Sequence, residues 1–313
     1  MRMRFNRLLK SGMMAAVLPA LAACVPATGE RGARPAAPPV EATLPVVKPV
    51  APGSSAITHN SDFILVGEAR QGGAMRGTVP AGTQRLLFNG AQIPVDKDGQ
   101  FLIAFDRDAG ETATLEAKLR GRAAVERVLT VTPGTWRLEH INAPYTGRAT
   151  SEEFQRLRAG ELQQIVAARE VHSGSGGWRQ SFRWPVTGRI SGLFGAQRVY
   201  QGKPGSYHGG IDIAVPTGTA FVAPADGVVV LAADKPFTLE GHLLIIDHGM
   251  GLNSAFLHCA SLFVKEGDVV RQGQTLGTVG SSGRATGPHM HWGLKWNDSR
   301  LDPLILAGPM PKN

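Results

Sequence analysis

The sequence predicts a mainly β protein: an N-terminal immunoglobulin-like β-sandwich, a short helical connector and a C-terminal antiparallel β domain. Three observations carry that expectation. At 313 residues the chain exceeds one average domain. Its 39 Gly and 21 Pro supply turns and interrupt helices. Its apolar residues fall mostly in short runs or strict alternation closed by Asn-Gly, Asp-Gly or Pro-x-Gly, not at helical spacing.

Residues 1–23 read as an export leader. Arg2, Arg4, Arg7 and Lys10 precede an apolar run over 13–23 that is too short to span a bilayer. The run ends Leu21-Ala22-Ala23-Cys24, which resembles the lipobox of bacterial lipoproteins, whose Cys carries the lipid and becomes the mature N-terminus. Val25 follows, where Asp would mark inner-membrane retention, so the resemblance implies an outer-membrane lipoprotein facing the periplasm. Residues 24–57 are Pro- and Ala-rich without a period and read as an extended spacer. The formal net charge is +8, four units of it in the leader. What remains suits an anionic wall or membrane surface and is too mild to argue for nucleic acid, for which no reading motif is present.

Residues 58–140 carry the sandwich pattern. Leu86-Leu87-Phe88 and Gln92-Ile93 bracket Asn89-Gly90, a hairpin signal. Ala113, Leu115, Ala117 and Leu119 alternate with polar residues, giving a strand buried on one face. This module holds no cluster of ligands and reads as a spacer or wall-contacting unit. In the connector, 141–180, Thr150 and Glu153 form a capping-box pattern before a helix reaching about Glu170, with Phe154, Leu157, Leu162 and Ile165 loosely on one side. Residues 173–177 (Ser-Gly-Ser-Gly-Gly) then read as a flexible joint. Residues 181–308 are again short apolar strands, and 309–313 form a tail.

The chemistry concentrates in this last module. Tyr207-His208-Gly209-Gly210-Ile211-Asp212 is answered downstream by Gly287-Pro288-His289-Met290-His291-Trp292. Imidazole and carboxylate are catalytic zinc ligands, three protein groups leaving a fourth position for water. His208, Asp212 and one of His289 and His291 make three. On a strand His289 and His291 face one space while Met290 and Trp292 pack behind. His258, in the run Ser254-Ala255-Phe256-Leu257-His258, is a further candidate. With Cys24 lipidated, Cys259 has no disulfide partner, and alternation places it opposite His258 as buried packing, not as a nucleophile.

From about Trp184 to Pro303 the chain resembles the lysostaphin-type (LytM-domain) zinc metalloendopeptidases of bacterial cell walls. The resemblance runs in order through Ser191-Gly192-Leu193-Phe194-Gly195, His208-x-x-x-Asp212, Ala223-Pro224-Ala225-Asp226-Gly227, Ile246-Asp247-His248-Gly249, His258 and Gly287-Pro288-His289-x-His291. It implies one Zn²⁺ on His208, Asp212 and His291, with His258 and His289 off the metal as catalytic aids. The implied substrate is the peptide cross-link of peptidoglycan, at the bond between D-Ala and meso-diaminopimelate. Departures are Phe256 where Tyr is common, so that a hydroxyl aid must come from elsewhere, His242 where Asn is usual, and Cys259 where Leu is usual. His242 and His248 read as surface and structural residues, and His59, His140 and His172 as surface residues. The competing reading is a catalytically silent LytM-domain protein that binds the wall and activates an amidase, a regulatory protein partner. It sits badly with an intact ligand set. A barrel-sandwich carrier module, suggested by the turn rhythm of Val264-Lys265-Glu266-Gly267-Asp268-Val269-Val270, lacks a Lys at the hairpin tip.

Overall fold

The computed structural model describes residues 61–144 and 151–311, so the expected leader, Cys24, the spacer and His59 lie outside the described residues. Seven strands form the N-terminal β domain: β1 (Ile64–Val66), β2 (Ala74–Thr78), β3 (Thr83–Phe88), β4 (Ala91–Ile93), β5 (Gln100–Ala104), β6 (Thr112–Leu119) and β7 (Val125–Thr130). They make two antiparallel sheets, β1-β2-β5 and β4-β3-β6-β7. The chain therefore changes sheet after β2, β4 and β5, as in an immunoglobulin-like sandwich. Asn89 and Gly90, at φ 50° and 82°, form the two-residue turn between β3 and β4. Ala113, Leu115 and Ala117 of β6 face inward as the alternation predicts. Leu86, Phe101, Ile103 and Leu115 are fully buried, each contributing about 1.5–3 kcal/mol.

The connector differs from its sequence pattern in three respects. Strand β8 (Leu138–Ile141) leads to helix α1 (Glu152–Glu170), whose N-cap is Ser151, accepting from the Phe154 N–H; Thr150 lies outside the described residues. With Phe154 three residues after the cap, no glutamate reaches back, and the capping box does not form. Second, Leu157 and Leu162 are exposed, while Glu161 and Ala168 are buried. The helix is fastened by polar groups: Arg158 makes two hydrogen bonds to Glu240, and Glu161 accepts from the Thr238 N–H and hydroxyl. Third, residues 173–177 are not a loose joint. The Ser173 N–H and hydroxyl donate to Asp247, and a Cβ on Gly177 would stand 1.8 Å from the Asp226 carbonyl oxygen. The glycine is needed there for close approach, not for mobility.

Strands β9 (Arg189–Gly192), β10 (Gln197–Tyr200), β11 (Lys203–Tyr207), β12 (Ile211–Ala214), β13 (Ala220–Val222), β14 (Gly227–Ala232) and β15 (His242–Asp247) follow. After them come β16 (Leu252–Leu262), β17 (Val269–Val270), β18 (Thr275–Val279), β19 (Met290–Trp296), β20 (Ser299–Leu301) and the short helix α2 (Pro303–Ala307). The main antiparallel sheet runs β17-β14-β15-β16-β19-β12-β9, with β18 on β16 and β13, and β20 on β19. The β10–β11 hairpin is joined in parallel by β8. The sandwich and this domain form one compact unit. Arg107, only 6 % exposed, donates to the Gly195 carbonyl and Gln197 and lies over the Tyr207 ring. Trp136 packs edge-on against Phe194.

Candidate active site

Strands β12 and β19 are neighbours in a register that pairs Asp212 with His291, so both side chains rise from one face of the sheet. His208 precedes β12 and is pinned by its own backbone: its N–H donates to Ala196 and its carbonyl accepts from Gly195. Two glycines make room for the cluster. A Cβ on Gly210 would lie 2.7 Å from His291 Nε2, and one on Gly192 would lie 2.4 Å from Asp212 Oδ2.

Three donor atoms converge. His208 Nε2 is 3.1 Å from Asp212 Oδ1 and 3.1 Å from His291 Nδ1, and the last two are 2.9 Å apart. Among the described residues this is the group of His, Cys, Asp or Glu placed to hold a metal ion. Tetrahedral zinc with bonds of about 2.0–2.1 Å separates its ligand atoms by about 3.3 Å, so the donor set fits such an ion with little adjustment. His208 is prepared for it: Nδ1 donates to the Leu193 carbonyl at 2.9 Å, which leaves the Nε2 lone pair facing the cluster. Burial works against ionising Asp212, but hydrogen bonds and charge from His208 and His291 prevail and hold its carboxyl well below the usual range. Burial lowers His291; for His208 burial also acts downward, but the hydrogen bond and charge of Asp212 and the hydrogen bond to Leu193 together outweigh it and raise the imidazole.

His258 reaches this space through an irregularity. Ala255 and Leu257 of β16 line the groove, so strict alternation sends His258 inward with Phe256. Instead His242 pairs with Cys259 and Leu244 with Phe256, leaving two residues of β16 opposite one of β15. At this bulge His258 adopts φ +62° and turns its ring back to the groove. Its Nδ1 donates to the Ser282 carbonyl at 2.8 Å, and burial lowers its pKa. His289 likewise donates from Nδ1 to the Gly287 carbonyl and brings Nε2 to 3.7 Å from Asp212 Oδ1. The His258 and His289 rings lie 4.8 Å apart. Both present a free Nε2, while Met290 and Trp292 are fully buried behind.

The five residues line one groove of about 680 Å³. One wall is α1, through Arg158, Leu162, Ile165 and Arg169, a role that nothing in its sequence announces. Cys259 is fully buried, its thiol pushed up to about 12 by burial, and cannot serve as a nucleophile near neutral pH. Phe256 packs on Phe221 in the core, so its side chain is not part of the groove. His248 is buried between the Asp226 carbonyl and the Ser254 hydroxyl, and His242 contacts the Ala233 carbonyl. His140 and His172 are exposed.

Residues 206–303 match the profile of peptidase family M23. The chain is 38% identical over 115 residues to the peptidoglycan DD-endopeptidase ShyA of Vibrio cholerae, a match covering 36% of this chain and 26% of that protein. It is also 38% identical over 105 residues to the DD-carboxypeptidase/endopeptidase Mpg of Neisseria meningitidis, covering 34% of this chain and 24% of that one. The chain thus spans about a quarter of the length of these two relatives. A crystal structure assigned to peptidase M23 from Pseudomonas aeruginosa superposes with a TM-score of 0.60 at 28% identity, covering 77% of this chain and 96% of that one. Sequence and fold agree that the C-terminal domain of this chain belongs to peptidase family M23, the LytM-type peptidases.

Proposed function

We propose that the protein is a zinc-dependent endopeptidase hydrolysing peptide cross-links of peptidoglycan, at the bond between D-Ala and meso-diaminopimelate. It would work at the periplasmic face of the outer membrane, held there by lipid on Cys24. The observation that carries the reading is the convergence of His208, Asp212 and His291 within one groove that also receives the free Nε2 atoms of His258 and His289. His208, Asp212 and His291 would hold the zinc, which when bound supplies Lewis acidity and a water acidic enough to react near neutral pH. His258 and His289, each locked by its Nδ1–H bond, take up and return a proton at Nε2. In the protonated form they stabilise negative charge growing on the substrate carbonyl oxygen. The sheet holds all five groups on strands and their flanks, so little reorganisation is needed during reaction.

The test is cleavage of purified cross-linked muropeptides to monomers, read beside metal content. His291→Ala loses metal and cleavage together. His258→Ala keeps the metal and loses about 10²–10⁴-fold in turnover. Bound metal in the wild type with no cleavage of any wall preparation would instead favour the silent amidase activator.

A further inference from the structure

The groove has a basic end that hydrolysis at His291 leaves unused. The groove is lined by His289, just before β19, and by His291, Gly293, Leu294 and Lys295 of that strand. Gly293 adds no side chain to the floor between His291 and Lys295, and a Cβ there would stand 3.4 Å from the Gly209 carbonyl oxygen. Arg300 pairs in register with Lys295 across β19 and β20, and its guanidinium lies over the Tyr207 ring at 5.3 Å. From the opposite wall Arg169, in the last turn of α1, enters the same space.

Arg169 is the unusual member. Its Nε is sealed from solvent and has no hydrogen-bond partner, although buried donors are nearly always paired. Neighbouring acids are committed elsewhere: Glu240 takes both hydrogen bonds from Arg158, and Asp298 pairs with Lys295 at 3.2 Å. Burial, and then the positive charge of Arg300, pull the Arg169 guanidinium below its usual value. Asp106, beside Arg300, accepts from the Arg300 backbone N–H and the Tyr207 hydroxyl. Two guanidinium groups facing one groove whose nearby acids are already engaged are arranged for an incoming anion, and a carboxylate matches their planar donors best.

We propose that Arg169 and Arg300 form a subsite for a carboxylate of the peptide substrate, engaged while the scissile bond lies at His291. This rests on the peptidase reading and adds to it the charge of the substrate. Four residue steps of extended strand lead from His291 to Lys295, roughly 14 Å, so the recognised carboxylate lies a few residues from the cut and not at it.

The experiment is equilibrium binding, by fluorescence anisotropy on the full protein, of a labelled stem tetrapeptide with its carboxylates free or converted to carboxamides. Cleavage of cross-linked muropeptides is measured in parallel. The wild type is expected to bind the carboxylate form at least about tenfold more tightly. In Arg169→Gln and in Arg300→Gln that ratio falls toward one, while the affinity for the carboxamide form stays constant. Arg300 is exposed, so its variant remains informative even where Arg169→Gln disturbs α1. Equal binding of the two peptides by the wild type, or a ratio unchanged in both variants, overturns the subsite whatever the cleavage result. Absent cleavage with an arginine-dependent ratio intact overturns the peptidase reading and leaves the subsite standing.

Discussion

Replacing His258 by glycine and, separately, by alanine exposes the strain stored at the bulge in β16. Both variants lose the imidazole and its hydrogen bond to the Ser282 carbonyl, so those costs cancel when the two are compared. What differs is the backbone at φ +62°. A Cβ in the left-handed region costs about 1–2 kcal/mol, whereas glycine's extra chain entropy on folding costs about 0.5–1 kcal/mol. At the middle of those ranges the balance makes His258→Gly more stable than His258→Ala by about 0.75 kcal/mol, the reverse of the order at an ordinary strand position. Urea denaturation of the two metal-free proteins measures the difference directly. Both variants lose turnover about 10²–10⁴-fold, so the gain in stability does not restore activity. An alanine variant equal to or more stable than the glycine variant refutes the bulge as the device that turns His258 into the groove.

Other consequences are equally specific. Gly210→Ala drives a Cβ to 2.5 Å from the Trp292 carbonyl and 2.7 Å from His291 Nε2, and zinc affinity is expected to fall about 10–100-fold. Gly287→Ala, whose Cβ meets nothing within 4 Å, leaves it unchanged in the same competition titration. Arg107→Ala removes buried hydrogen bonds to Gly195 and Gln197 and a cation resting on Tyr207. It is expected to destabilise the fold by about 2–4 kcal/mol, seen in chemical denaturation. Burial takes His248 from 6.5 down to about 4. The unfolded chain therefore binds its proton more readily between those values, and stability present above pH 6.5 is lost as the pH falls toward 4. The loss is ~3 kcal/mol, and denaturation midpoints across that range, with an NMR titration of the His248 ring, check it.

Much of the fold is legible because local chemistry dictates it. Asn89-Gly90 can make a two-residue turn at no steric cost, and the alternation of Ala113, Leu115 and Ala117 has one burial solution. The metal candidates are equally accessible, since His208, Asp212 and the His289/His291 pair announce themselves by residue type and spacing, while the choice of His291 within the pair rests on the family resemblance. What the sequence concealed depends on contacts distant along the chain. His258 is a candidate from its residue type, but with Ala255 and Leu257 on the groove side strict alternation would turn it into the core, and only the pairing of β16 against β15 shows the extra residue that lets it face the groove. The helix pattern of α1 suggests an apolar face, but Glu161 and Arg158 find their partners at Thr238 and Glu240, far along the chain. For the same reason the contacts of the sandwich with the C-terminal domain are invisible in a sequence that reads as a spacer or wall-contacting unit. Arg107 and Asp106 look like ordinary loop charges until Arg107 covers Tyr207 and Asp106 accepts from the Arg300 N–H.

Zinc-edge X-ray absorption on the purified protein tests the coordination most directly. The expected spectrum has two imidazole nitrogens and two light oxygen donors at about 2.0–2.2 Å, one oxygen from Asp212 and one from solvent. A sulfur scatterer at about 2.3 Å, a third imidazole completing the sphere, or failure to retain zinc would contradict the assignment of His208, Asp212 and His291 as a hydrolytic metal centre.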